Sequence, residues 1–89
     1  MKSRLQTEMK NCYLCDGGGE LHPHHIFNGG LRKKSEQYGY IVMVHNIPCH
    51  RLIHDNPNVA RELKMKAQQD FEKDHTRDDF IKIFRKNYL

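Results

Sequence analysis

Leu21-His-Pro-His-His-Ile-Phe27 and Cys49-His-Arg-Leu-Ile-His54 decide the reading, because together they hold five of the chain's seven histidines. His50 and His54 are four residues apart, so on a helix they share one face. His24 and His25 are adjacent, and on a strand adjacent side chains leave opposite faces. One of that pair can therefore join the two helical imidazoles around a single ion while the other stands free beside it. Three imidazoles leave positions open for water and for a substrate oxygen. A lone histidine is more often an ordinary surface group; four at these spacings argue for a ligand set in which His50, His54 and one of His24 and His25 surround the ion.

A second signal is Cys12-Tyr-Leu-Cys15 followed by Asp16 and three glycines. A C-x2-C turn delivers two thiolates to one zinc ion, and Cys49 can deliver a third. A complementary pair would put a thiol at position 46, where Asn46 stands. His45 is the favoured fourth ligand of this structural Zn2+ and His22 the alternative. The plain reading is three free thiols; an odd count and the two-residue spacing both speak against an internal disulfide.

Composition explains why a staple is needed. The chain has 89 residues, 37% of them hydrophobic, no Trp and a mean hydropathy of -0.87. One domain with a thin core is expected, and such domains often rely on a metal. The formal charge of +4 suits an anionic partner without identifying one. Arg32, Lys33 and Lys34 in a basic loop, and Arg51 on the short helix, are candidate phosphate contacts; the bland alternative is a solvated charged surface. MKSRLQTEMK lacks the apolar centre of a signal peptide, and no apolar run approaches membrane length. The expectation is a soluble chain, no membrane partner, and a cytoplasm that keeps thiols reduced.

Patterning orders the elements. Residues 1–11 read as a frayed or short helical lead-in. Glu20–Phe27 reads as an irregular strand, since Pro23 confines it to an edge. Asn28–Gly39 has no apolar period and reads as the basic loop. Tyr40–Val44 is β-branched and aromatic, hence a second strand. Pro48 is placed at a helix start, with a short helix running from Cys49. A second helix over about 58–73 carries Val59, Leu63, Ala67 and Phe71. Thr76 caps a third, with Phe80, Ile81, Ile83, Phe84 and Tyr88. Lys82, Arg85 and Lys86 cover its outer face.

The whole pattern, Cys12-x2-Cys15, His24-His25, Tyr40–Val44 and Cys49-His50-x3-His54, resembles the HNH, or ββα-metal, nuclease family, closest to small phage HNH-like proteins with a zinc knuckle. The resemblance implies an α+β fold: a small treble-clef-like ββα-metal hairpin and helix over residues 12–55, with two additional C-terminal helices over 58–89. It implies a metal-dependent endonuclease hydrolysing phosphodiester bonds in DNA. His25 matches the family's general base, and His24, His50 and His54 match ligands of a catalytic divalent ion (Zn, Ni, Mn or Mg). DNA would be gripped through its phosphates, with a homodimer or a tethering protein as further partner, in the bacterial host's cytoplasm. Two departures stand out. The family's middle asparagine falls where Ile41 and Val42 stand, and the fourth cysteine is missing. The alternative reading is a non-enzymatic zinc-binding module that binds nucleic acid or a protein.

Overall fold

His22–His25 (β1) and Ile41–Val44 (β2) pair antiparallel, with His24 opposite Val42 and His25 opposite Ile41. These are shorter than the expected strands, although Ile26 N–H still donates to the Tyr40 carbonyl at 3.0 Å. A computed structural model describes residues 3–89 of the chain. Among the described residues it is an α+β fold with one two-stranded sheet and four α-helices.

The segment expected as a loop is helical. A 3-10 turn at Gly29–Leu31 leads into Arg32–Gln37 (α1). Nothing in its periodicity signals this, because the anchor is a single polar residue. Ser35 is fully buried; its hydroxyl accepts from Phe27 N–H at 3.1 Å and donates to the Tyr40 carbonyl. Tyr40 N–H returns a 2.7 Å bond to the Ser35 carbonyl. One serine thus ties the exit of β1, α1 and the entry of β2 together. Gly39, with φ of 81°, closes the segment in a conformation that a side chain resists.

After β2, the chain makes an irregular turn over Asn46–His50 in which Ile47 is extended. Pro48, after a cis peptide, follows the kink at Ile47 and stands at the start of the helical backbone that runs through Cys49 and His50, as expected of it. Regular helix begins at Arg51–Asp55 (α2). Asn56 then caps Pro57–Phe71 (α3), its side chain accepting from Asn58 N–H at 3.0 Å, with proline at the first helical position. Thr76 caps Arg77–Phe84 (α4) through a 3.1 Å bond from Asp79 N–H. That helix stops at Arg85, whose φ is 68°, so Tyr88 lies beyond it.

Apolar faces of these elements meet around Phe27. Its ring stacks on Phe84 with centroids 4.2 Å apart and meets Phe80 edge-on at 5.7 Å. Ile53, Leu63, Ala67 and Phe71 complete the core, while Ile83 is half-buried. The lead-in is not helical: Gln6 accepts from Met43 N–H at 2.8 Å and donates to the Glu8 and Asn11 carbonyls. The first two residues of that lead-in lie outside the described ones. Since Ser35 serves two buried backbone groups, Ser35→Ala should cost about 1–3 kcal/mol. Urea denaturation checks this, with an unchanged m-value expected.

Candidate metal centres

The first centre starts from a closed turn. Cys12 N–H donates to the Gly17 carbonyl and Asp16 N–H to the Cys12 carbonyl, both at 2.8 Å. Tyr13 N–H donates to the Met43 carbonyl at 2.8 Å, docking the turn on β2. His45 leaves the end of β2 and Cys49 lies in the turn beyond it. The ligand atoms of Cys12, Cys15, His45 and Cys49 all lie within 4.8 Å of one another. His45 Nδ1 is 3.3 Å from Cys15 Sγ and 3.9 Å from Cys49 Sγ. Tetrahedral zinc, with bonds of about 2.3 Å to sulfur and about 2.0 Å to nitrogen, has S–N edges of about 3.5 Å. The cluster has that size and could hold a metal such as zinc.

Two further observations fit a cation. His45 Nε2 donates to the Gly18 carbonyl at 2.7 Å, which fixes the tautomer and leaves the Nδ1 lone pair facing the thiols. Meanwhile the buried thiols oppose one another. Burial raises Cys12, but the backbone donors of Cys15, His45 and Leu14 outweigh it and bring it down. Cys49 is pushed up by burial and by the neighbouring thiols of Cys12 and Cys15. A cation removes that repulsion. Of the two candidates for the fourth ligand, His45 is the one in place. His22 lies on exposed β1 surface, 3.6 Å from Glu20.

The second centre joins β1 to α2. His24 is 5% exposed; its ring centroid is 5.2 Å from that of His50 and 5.9 Å from that of His54. His50 Nε2 and His54 Nε2 are 3.1 Å apart, close to the edge of about 3.3 Å that two imidazoles on one tetrahedral ion would show. All three ligand atoms fall within 4.8 Å. Burial, then the positive charge available on His50 and His54, holds His24 down at about 4. It is therefore neutral near pH 7, with its lone pair free. Burial and His54 also lower His50.

These rings open on a cleft of about 210 Å³ shared with His25, Asn28 and Arg32. His25, next to His24 on β1, lines the same cleft, and its Nε2 meets Glu36 Oε2 of α1 at 3.2 Å. The sequence-predicted phosphate contacts separate. Arg32 lines the cleft, whereas Lys33 and Lys34 are exposed on α1 away from its lining. Arg51 pairs with Asp55 at 3.4 Å and lines a different recess with Ile47 and Leu52. Asn28 and Glu36 went unnoticed in the sequence. Only the course of the β1–β2 connection, with its unexpected α1, brings them to the His25 side of the cleft.

Gly17 tests the first centre. A Cβ there would come 3.1 Å from His45 Cε1 and 3.5 Å from Cys15 Sγ, beside the ring that the Gly18 carbonyl holds. Gly17→Ala should weaken metal binding by roughly 10- to 100-fold, as loss of an orienting contact does. Cys49→Ser, or chelation of the wild type, should go further and lower the melting temperature. Zinc competition with a chromophoric chelator and far-UV circular dichroism read both.

No family model, curated protein or solved structure matches the chain, so its chemistry must be argued from these two clusters and the cleft.

Proposed function

We propose that the chain is a metal-dependent endonuclease of the HNH kind, hydrolysing phosphodiester bonds in DNA. One observation carries this reading: His24, His50 and His54 converge while His25 and Arg32 open on the same cleft. In this reading the Cys12, Cys15, His45 and Cys49 cluster is a structural zinc staple for a ββα-metal hairpin. Three imidazoles would hold the second ion, a set better suited to Zn, Ni or Mn than to Mg, which prefers oxygen ligands. A divalent cation bound there supplies Lewis-acid stabilisation of the phosphate oxygens and of the leaving 3′ oxygen.

The chain's own groups do the rest. His25, donating Nε2–H to Glu36, keeps its Nδ1 lone pair and takes the proton from the attacking water. Glu36 positions that ring and stabilises it once it is protonated. Arg32 faces the phosphate as a fixed positive charge, and Asn28 adds a carboxamide at the cleft. Products with 5′-phosphate and 3′-hydroxyl ends follow from the family resemblance.

A second reading has one observation in its favour. Ile41 and Val42 are fully buried, so β2 offers the cleft no polar group where the family places asparagine. Asn46 is exposed in the turn before His50 and is outside the cleft lining. A zinc-binding module that holds nucleic acid without cutting it would need no such residue.

Nicking of supercoiled plasmid with Mg, Mn, Ni or Zn separates the two readings. The wild type should nick, and His25→Ala should lose about 10²–10⁴-fold with metal content unchanged. Glu36→Gln should lose less. Absence of nicking by metal-loaded wild type with every ion would leave the module.

A further inference from the structure

A second cleft, of about 350 Å³, lies between the start of α3 and the chain's last residues. Pro57, Arg61 and Lys64 of α3 form one wall; Lys86 and Tyr88 form the other. The second wall is not a loose tail. Gln68, fully buried, accepts from Tyr88 N–H at 2.7 Å and donates to Asn87 Oδ1 at 2.8 Å. Between the walls, the Tyr88 ring carries Lys64 Nζ at 5.5 Å and Lys86 Nζ at 5.4 Å from its centroid.

Three cations thus converge, and no acidic residue lines the cleft. Among the described residues none of the three forms an ion pair, although Arg4, Arg51, Lys66 and Arg77 all do. Like charges gathered around one space build a positive potential there that favours an anion. The cleft also adjoins the histidine site. His54 lines one and Pro57 the other, with only Asp55 and Asn56 between them.

We propose that Arg61, Lys64 and Lys86 form a phosphate track that seats the DNA backbone flanking the bond held at the histidine cleft. This rests on the nuclease reading for its direction, since it continues that cleft. The track grips without reading sequence: phosphate contacts carry no base information, and two ammonium groups attend the Tyr88 ring.

Binding, unlike cutting, isolates the claim. The full chain, metal-loaded and carrying His25→Ala to block cleavage, is titrated with a short fluorescent DNA duplex across a range of salt. Each phosphate contact contributes about 0.9 to the slope of log K against log salt. Arg61→Gln, Lys64→Gln and Lys86→Gln together should flatten it by about 2.7 and weaken binding at 0.15 M salt on the order of 100-fold. A charge-matched control, Lys10→Gln with Lys66→Gln and Lys73→Gln, removes the same charge outside both clefts and should move the slope far less. If the triple variant melts early, Lys64→Gln and Lys86→Gln singly should each still take about 0.9 from the slope. Equal slopes for the triple variant and its control, or no DNA binding by the parent, overturn the track. Intact binding with the expected flattening, but no nicking by wild type, would sink the nuclease reading and leave the track standing.

Discussion

Cys49 and His50 are neighbours in the chain yet face different clusters, and this adjacency constrains everything around the site. Cys49 is drawn toward the thiols of Cys12 and Cys15 and the imidazole of His45. That fixes where the chain leaves β2 and where α2 can begin. His50 must then leave the same turn in the other direction, and helical spacing carries His54 along with it. The 2.7 Å bond from His50 N–H to the His45 carbonyl closes the turn between the two centres. A loosened first cluster would therefore be felt at His50 before it was felt in the aromatic core.

The chain has little else with which to hold that geometry. An 89-residue domain buries a modest share of its surface. Its aromatic core around Phe27, Phe80 and Phe84 packs α4 and the exit of β1; from the Cys12–Gly17 turn only Cys12 enters the buried core, with Tyr13 and Leu14 partly buried against it. That turn rests on Tyr13 N–H against β2 and on Gln6 holding the same strand residue, Met43. Hydrogen bonds of this kind contribute about 0.5–1.5 kcal/mol each, too little to position four ligands alone. The donor set and the thin local packing point the same way.

How much of this was legible depended on whether the signal was periodic. The C-x2-C pair, the two strands, the His50–His54 spacing and the Thr76 cap all obey local rules and are readable, whereas the apolar period starts α3 near 58 and misses Asn56 as its cap. His45 could be favoured over His22 because it stands beside the position a second thiol pair would use. α1 was not readable, since its anchor is one buried serine bridging two strand ends instead of an apolar stripe. With α1 unseen, Glu36 could not be placed beside His25, nor Arg32 separated from Lys33 and Lys34. Arg51 looked equivalent to Arg32 because sequence does not say which side of a five-residue helix meets the cleft; its i,i+4 partner Asp55 sits on the other side.

The buried pair Ile41 and Val42 bears on how the cleft is made polar. With β2 contributing only apolar side chains to the core, polar groups must come from the other side of the hairpin. They come from β1 and its continuation into α1: His24 and His25, then Asn28 as the strand ends, then Arg32 from the helix, with Glu36 bonded to His25 outside the lining. Ser35 holds that return against both strands. The carboxamide that the cleft does hold, Asn28, comes from just beyond the first strand, three residues after His25. If the cleft is catalytic, its polar wall is the β1–α1 connection, and the precision of that wall rests on one serine hydroxyl.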